Sequence, residues 1–193
     1  MIRIVIFASG SGTNAENIMK YFQNNDVATV VRVLSNKKDA KVLKRANNLN
    51  VNNLYFNRND FFDTDRILNL LKEEADLIIL AGFLWKVPEK IINAFTDNII
   101  NIHPALLPNY GGKGMYGMHI HRAVVNNNEK ETGITIHYVN ENYDDGAIIF
   151  QESINLTTED TPETVAEKIH ILEQKNFPKV IEKIINNLEN INL

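Results

Sequence analysis

The chain has 193 residues, of which 44% are hydrophobic, and it carries a formal net charge of -4 and no cysteine. This length suffices to bury one core in a single domain without disulfides or metals. The lack of cysteine excludes a disulfide framework, a thiolate nucleophile and a zinc-thiolate centre, and it is typical of a reducing compartment, so we expect a cytoplasmic protein. Scattered Lys and Arg form no basic stripe, which argues against nucleic acid as the main partner.

The first apolar run, residues 1–7, is far too short to span a membrane, so we expect no membrane association and a buried strand at Ile4 to Phe7. The next segment, Ser9 to Ala15, reads Ser-Gly-Ser-Gly-Thr-Asn-Ala and opens the first predicted helix. Its main-chain N-H groups and the helix dipole therefore face one spot that suits an anion. The hydroxyl groups of its two serines and its threonine favour a terminal phosphate monoester.

The same segment also satisfies Gly-x-Gly-x-x-Ala, the spacing of a dinucleotide-binding loop. In such a fold the second strand ends in an acid that binds the ribose, whereas here the predicted strand Val30 to Leu34 is followed by Ser35 and Asn36. An ordinary tight turn between a strand and a helix is the remaining interpretation.

Further along the chain, short apolar runs predict strands, and apolar residues at three- and four-residue spacing predict helices between most of them. The predicted strands are Ile4 to Phe7, Val30 to Leu34, Leu77 to Leu80, Ile99 to Ile102, Ile134 to Val139 and Ala147 to Phe150. The predicted helices are Ala15 to Gln23, Ala40 to Leu49, Asp60 to Glu74, Pro88 to Phe95, His119 to Asn126 and Thr161 to about Asn190. Inside the last helix, Pro178 should cause a kink or an interruption.

This alternation predicts an α/β fold: a single-domain, Rossmann-like open twisted sheet, mostly parallel, with helices on both faces. The segment Asn140 to Gly146 is too short for a helical crossover, so we expect an antiparallel strand near the C-terminal end.

Two polar residues, Asn101 and His103, stand at the end of the strand that begins at Ile99. They share one strand face by the two-residue period, and the carboxyl end of a buried strand projects into the crevice where open sheets bind ligands. An amide there can polarise a carbonyl group while an imidazole moves a proton.

A carboxylate from the later loop completes this hypothesis. If Asp144 accepts a hydrogen bond from His103, it fixes the ring tautomer and raises the pKa of the imidazole. Alternatively, Asp144, Asp145 and Gly146 merely form a solvated turn. We expect His137, inside a strand, to be a satisfied core residue.

The remaining histidines do not predict a metal site. His119 and His121 should point about 200° apart on a helix, so joint ligation is not expected. His170, on the last helix, is expected at the surface or at an interface.

Taken together, the motifs resemble one family, the folate-dependent phosphoribosylglycinamide formyltransferases of purine synthesis. The resemblance covers nearly the whole chain and rests on Ala8 to Asn14, Leu80 to Phe83, Asn101 to Pro108 and Gly133 to Gln151. It implies transfer of the formyl group of 10-formyltetrahydrofolate, a co-substrate, to the amine of glycinamide ribonucleotide, with neither metal nor ATP. The expected partners are these two small molecules, and a homodimer is compatible with the resemblance.

The resemblance also assigns residues within one catalytic domain, 1–193, whose N-terminal half binds the ribonucleotide phosphate and whose C-terminal half binds folate and carries the chemistry. The catalytic residues are Asn101, His103 and Asp144. The ribonucleotide-binding residues are Gly12, Thr13, Asn14, His170, Ile171, Leu172 and Glu173. The folate-binding residues are Leu84, Trp85, Lys86, Val87, Asn101, Asn140, Glu141, Asn142, Tyr143 and Asp144.

The chain departs from the family pattern in two places. Trp85 and Lys86 stand where the family usually has methionine and arginine, although contacts there are expected to be largely main-chain. Residues 109–118, with four glycines, are longer than in many relatives. We hypothesise that Lys113 and Tyr116 touch bound ligand; a surface elaboration without catalytic consequence is the alternative.

Two other functional classes are weighed against this one. A relative that formylates methionyl-tRNA would carry a further C-terminal domain and a basic surface, and one that hydrolyses the folate would carry an N-terminal regulatory domain; neither extension is expected here. A non-enzymatic nucleotide-binding module would leave Asn101, His103 and Asp144 without a role.

Overall fold

Seven strands form one sheet in the order β3-β2-β1-β4-β5-β6-β7. The computed structural model describes residues 1–191, with side chains described as far as residue 187. The strands are β1 (Ile2–Phe7), β2 (Ala28–Ser35), β3 (Asn52–Tyr55), β4 (Leu77–Leu80), β5 (Ile99–His103), β6 (Glu131–Tyr138) and β7 (Ile148–Asn155). The helices are α1 (Thr13–Phe22), α2 (Lys41–Asn48), α3 (Arg66–Glu74), α4 (Glu89–Ala94), α5 (Met118–Asn126) and α6 (Pro162–Ile191), with a π-helical turn at Asn59–Asp63.

The pairing confirms the predicted fold class. Strand β1 pairs in parallel with β2 and β4, β2 with β3, and β4 with β5. Strand β6 runs antiparallel to both of its neighbours, β5 and β7. The mixed, mostly parallel sheet thus carries its antiparallel strand on the C-terminal side, as the short loop after β6 predicted.

The sheet is covered on both faces, and strand β1 illustrates why. Its residues are buried on both sides of the pleat: Ile4 and Ile6 join the cluster that includes side chains of α1 and α6, whereas Val5 and Phe7 join the cluster that includes α3 and α4. A strand buried on both faces must be apolar at every position, which explains the continuous run that identified it in the sequence.

One strand was missed and one local prediction was wrong. Strand β3 was not predicted, because its Asn-rich residues lie at the sheet edge, none of them is buried, and they form no apolar run. The single helix predicted from Asp60 to Glu74 is divided into the π-helical turn and α3. The main-chain N-H of each of Asn57 and Asp60 donates to the side chain of the other, and these two bonds close the π-helical turn independently of α3. Thr64, which follows the turn, has an extended backbone with φ -115° and ψ 169°.

Of the kink or interruption expected at Pro178, the interruption was wrong, since α6 continues through this residue. Proline has no N-H group to bond the carbonyl four residues earlier, here that of Gln174. The Nδ2 group of Asn17, on α1, donates to that Gln174 carbonyl at 2.8 Å. A side chain of the neighbouring helix therefore replaces the missing main-chain donor.

Within the described residues, no helix is both long enough and apolar enough to cross a membrane.

Candidate active site

A cavity of about 720 Å³ opens at the carboxyl ends of β1, β4 and β5. Here the chain order of the strands reverses between β1 and β4, and open α/β sheets bind ligands at such a switch point. Five segments distant in sequence line it: residues 9–14 after β1, 81–84 after β4, 101–104 at the end of β5, 112–117 before α5, and 143–144 after β6. Side chains of α6 form a further wall.

The structure brings Asn101, His103 and Asp144 to the lining of this one cavity. The Nδ1 atom of His103 lies 3.6 Å from Oδ1 of Asp144, and the side chains are only 4% and 13% exposed. This separation is longer than a hydrogen bond but keeps the carboxylate beside the ring. Asp145, by contrast, is exposed and accepts hydrogen bonds from Asn140 and Asn142. The geometry therefore favours Asp144 as a site carboxylate over the solvated-turn interpretation.

His137, expected only in the core, is buried but also borders this site. Its Nδ1 lies 2.8 Å from the main-chain carbonyl of Tyr138, so Nδ1 carries the hydrogen. Burial lowers the pKa of His137, which keeps the ring neutral and leaves Nε2 as an acceptor for Nδ2 of Asn101 at 3.1 Å. The bond fixes the orientation of the Asn101 amide and leaves its second N-H free for a ligand.

The main chain of the loop after β1 has a geometry that suits an anion. Gly12 precedes α1 with φ 74°, and no side chain caps the helix, so its first N-H groups face the cavity region. From outside, Arg45 donates to the carbonyl of Ser11 at 2.8 Å and holds the loop in place.

One predicted phosphate donor is already engaged. The hydroxyl of Ser9 donates to Oδ1 of Asn36 at 2.7 Å and accepts the N-H of Leu84 at 3.0 Å. Its single hydrogen is therefore used inside the protein, and the assignment of Ser9 as a phosphate donor was wrong. The residue instead ties the end of β1 to the end of β2 and to the segment after β4.

Helix α6 meets this loop through Glu173. Its Oε2 accepts from Nδ2 of Asn14 at 2.9 Å and lies 3.4 Å from Nδ1 of His170, and this contact raises the pKa of His170. All three residues line the cavity. Ile171 and Leu172 do not: Ile171 is 65% exposed, and Leu172 packs in the core cluster.

Most of the predicted folate residues surround a second, smaller cavity of about 60 Å³ beside Asn101 and Asp144. Its lining includes Trp85, Lys86, Val87, Asn140, Asn142 and Tyr143, while Leu84 lines the larger cavity. Glu141 is exposed and lines neither. The Trp85 ring also packs on Phe62 and Phe56, with centroids 5.7 and 6.0 Å apart, so it is at once a packing residue and a cavity residue.

His121 is a site residue that the sequence did not single out for this cavity. It is 5% exposed, its Nδ1 has no hydrogen-bond partner, and burial lowers its pKa. His119 is exposed, in line with the expected divergence of the two rings. The sequence pattern that could have identified His121 is a polar residue beside Ile120 and Val124 on the apolar face of α5.

Lysine side chains and the glycine-rich segment also line the larger cavity. Lys37, Lys113 and Tyr116 all border the larger cavity, which is compatible with the hypothesis that Lys113 and Tyr116 touch ligand. In the part of the chain whose side chains are described, no group of three or more His, Asp or Glu side chains has an arrangement that could hold a metal ion.

Known proteins resemble this chain over most of its length. The family model described as Formyl transferase matches residues 2–181. Phosphoribosylglycinamide formyltransferase of Bacillus subtilis (strain 168) is 35% identical over 191 residues, an alignment that covers 96% of this chain and 95% of that protein. The chloroplastic enzyme of the same name from Arabidopsis thaliana is 34% identical over 189 residues, which cover 94% of this chain. The chain spans 65% of the length of this plant relative.

The fold is also similar to that of a solved relative. The crystal structure of phosphoribosylglycinamide formyltransferase from Bacillus halodurans superposes with a TM-score of 0.86 at 34% sequence identity. The superposition covers 97% of each chain, so the likeness extends over nearly the whole fold.

Proposed function

Because the chain belongs to the formyl transferase family, we propose that it transfers the formyl group of 10-formyltetrahydrofolate to the amine of glycinamide ribonucleotide. The products would be formylglycinamide ribonucleotide and tetrahydrofolate, a step of purine synthesis. The observation that carries this proposal is the single cavity that has Asn101, His103 and Asp144 in its wall and an uncapped helix N-terminus beside it. A phosphorylated acceptor can thus be anchored by its phosphate while its amine reaches the catalytic side chains.

In this proposal the two substrates enter from different sides. The ribonucleotide phosphate binds the N-H groups of Gly12, Thr13 and Asn14, and Glu173 binds the ribose hydroxyls from α6. The folate binds along residues 84–87 and 140–144, most of which border the smaller cavity, with Leu84 at the larger one. Both cavities include Asn101 and Asp144, so the amine and the formyl carbon would meet there.

The chemistry follows from these side chains. Attack of the neutral amine on the formyl carbon gives a tetrahedral intermediate with a negative oxygen and a positive nitrogen. The free N-H of Asn101 donates to the oxygen, a contact typically worth about 3 to 4 kcal/mol in the transition state. His103 takes the proton from the ammonium group and passes it to the leaving folate nitrogen, which departs poorly unless protonated. Asp144 stabilises the imidazolium formed in between.

The proposal has further parts. The reaction uses neither ATP nor a metal ion, because the acyl donor is already activated and the oxyanion has a protein donor. We also propose that residues 1–193 act as one catalytic domain, that the protein works in the cytoplasm and that it can form a homodimer.

A direct assay tests the proposed function. Purified protein is mixed with 10-formyltetrahydrofolate and glycinamide ribonucleotide, without ATP and with a chelator, and the folate absorbance is followed. We expect a change that requires the ribonucleotide and falls strongly in Asn101→Ala and His103→Ala variants. If the folate is unchanged, the proposal is wrong; formate release without acceptor would indicate a hydrolase instead.

A further inference from the structure

The ring of His103 is held by the glycine-rich segment that the proposed function leaves unassigned. Its Nε2 lies 2.8 Å from the main-chain carbonyl oxygen of Tyr110. A carbonyl oxygen only accepts hydrogen bonds, so Nε2 must carry the hydrogen. In the neutral ring Nδ1 is then unprotonated, and Nδ1 is the atom that lies 3.6 Å from Asp144.

The same segment holds the carboxylate. The N-H of Gly112 donates to Oδ2 of Asp144 at 3.0 Å, and Oδ1, the other oxygen, is the one beside His103. Two main-chain groups two residues apart thus contact both members of the pair. Between them, Gly111 packs so closely that a Cβ would lie 2.7 Å from Cδ2 of Leu107 and 3.3 Å from Cβ of Asp144.

Tyr110 is itself fixed in place. Its φ of 57° is unusual for a residue with a side chain. Its hydroxyl donates to Oε1 of Glu129 at 2.6 Å and accepts from Nδ2 of Asn127 at 2.9 Å. Both partners follow α5, so the residues after that helix determine where the Tyr110 carbonyl points.

We propose that Tyr110 to Gly112 is a positioning segment for the proposed formyl transfer. Its main chain fixes the Nε2-H tautomer of His103, so that the mobile proton is exchanged at Nδ1, and it holds Asp144 beside that atom. Nδ1 takes the proton from the ammonium group of the intermediate, which gives an imidazolium. The same N-H then passes that proton to the leaving folate nitrogen, which restores the starting ring. No further reactant is needed.

The tautomer is tested without any substrate. Long-range nitrogen-proton correlation spectra of 15N-labelled protein above neutral pH report which ring nitrogen carries the hydrogen, and a His103→Gln variant assigns the signal. We expect Nε2 of His103 to appear protonated and Nδ1 unprotonated. The opposite pattern would overturn the inference, whether or not the protein transfers formyl groups.

The positioning role is tested by Tyr110→Phe, which removes the bond to Glu129. We expect kcat to fall by about tenfold, the size of one positioning hydrogen bond, while both KM values change little. Tyr21→Phe is the matched control, because Tyr21 donates in the same way to Glu182 at 2.7 Å but does not line the cavity. An unchanged kcat in Tyr110→Phe, or an equal fall in the control, would contradict the role.

A second variant perturbs the segment at its main chain, and thermal unfolding checks that it still folds. Gly111→Ala should lower kcat and alter the His103 nitrogen signals, because its Cβ meets Leu107 and Asp144. If wild-type protein shows no transfer at all, the proposed function fails, and the spectra of the two variants still decide whether the segment fixes the ring.

Discussion

At the scale of single residues, Asp144 is the group on which the two site histidines converge. Its Oδ1 lies 3.6 Å from His103 and 3.8 Å from His137. His137 is held neutral by burial, so the carboxylate is available to stabilise a charge on His103. Asp144 can therefore support proton transfer by His103 although a second imidazole, that of His137, lies nearly as close to the carboxylate.

We therefore predict that Asp144→Asn keeps the fold but lowers kcat by on the order of 10², because the imidazolium of His103 loses its counter-charge. The assay is formyl transfer across pH, with thermal unfolding as the check on folding. Asp26→Asn, an exposed carboxylate in the turn after α1, is the control. Equal rates for wild type and Asp144→Asn at every pH would show that the carboxylate does not act on the ring.

Burial of His121 also makes the stability of the folded protein depend on pH. Its pKa is lowered in the folded protein, so the unfolded chain binds protons at this residue first as the pH falls below about 6.5. Above that pH His121 is neutral in both the folded and the unfolded state, so it costs the folded protein no stability. Below that pH the unfolded state gains protons, and the folded protein loses stability. We predict that His121→Gln reduces the drop in melting temperature between pH 7 and pH 5.

Thermal unfolding at several pH values measures this effect. His119→Gln, an exposed residue on the same helix, should keep the wild-type drop. The raised pKa of His170 acts in the opposite direction but is the same in both variants. A His121→Gln protein that loses as much stability as wild type would disprove the assignment.

Sequence reasoning at this scale pointed to Asn101 and His103 from the strand period and to Asp144 from its place in the loop after β6, where only the family resemblance favoured a site role over a solvated turn. It did not find the bond between Asn101 and His137, because that contact depends on the register of β5 against β6, where Asn101 faces His137. Ser9 was misjudged for a similar reason. Its partners, Asn36 and Leu84, come from two other strand ends that only the assembled sheet brings together.

At the scale of elements, the junction of β1 and α1 depends on a close contact with α2. A Cβ on Gly12 would lie 2.3 Å from Cγ2 of Val42, and its φ of 74° disfavours any other residue. We predict that Gly12→Ala lowers the free energy of unfolding by more than about 1 to 2 kcal/mol, the strain of the left-handed backbone alone.

Urea unfolding of ligand-free protein tests this prediction. Gly10→Ala is the control from the same loop, because nothing lies within 4 Å of its Cβ position; we expect its stability to change by less than about 0.5 kcal/mol. Similar losses in both variants would mean that the contact with Val42 is not the cause.

Elements with long apolar runs were predictable, since burial on both faces leaves an unambiguous pattern. Strand β3 and the π-helical turn were not, because an edge strand needs no apolar residues and the turn is closed by side-chain bonds of Asn57 and Asp60. The continuity of α6 through Pro178 depended on Asn17, 161 residues earlier in the chain.

At the scale of the whole molecule, the topology was predictable from the order of strands and helices, but the cavities were not, because their walls come from segments far apart in sequence. One prediction tests whether the two cavities bind different substrates. Trp85, the chain's single tryptophan, borders the smaller cavity and not the larger one. We predict that tetrahydrofolate changes its fluorescence, whereas glycinamide ribonucleotide alone leaves the emission nearly unchanged.

A fluorescence titration with each ligand separately measures this, and inorganic phosphate serves as the control for the loop after β1. A response to the ribonucleotide but not to the folate would reverse the proposed arrangement of the two substrates.

The position of β1 in the middle of the sheet has a consequence for biosynthesis. This strand pairs with β4, at residues 77–80, and the helix that follows it packs against α6, which begins only at residue 162. During synthesis, part of the apolar surface of β1 and α1 therefore stays uncovered until α6 has been made. We therefore expect chaperones to bind chains whose synthesis is arrested before residue 162.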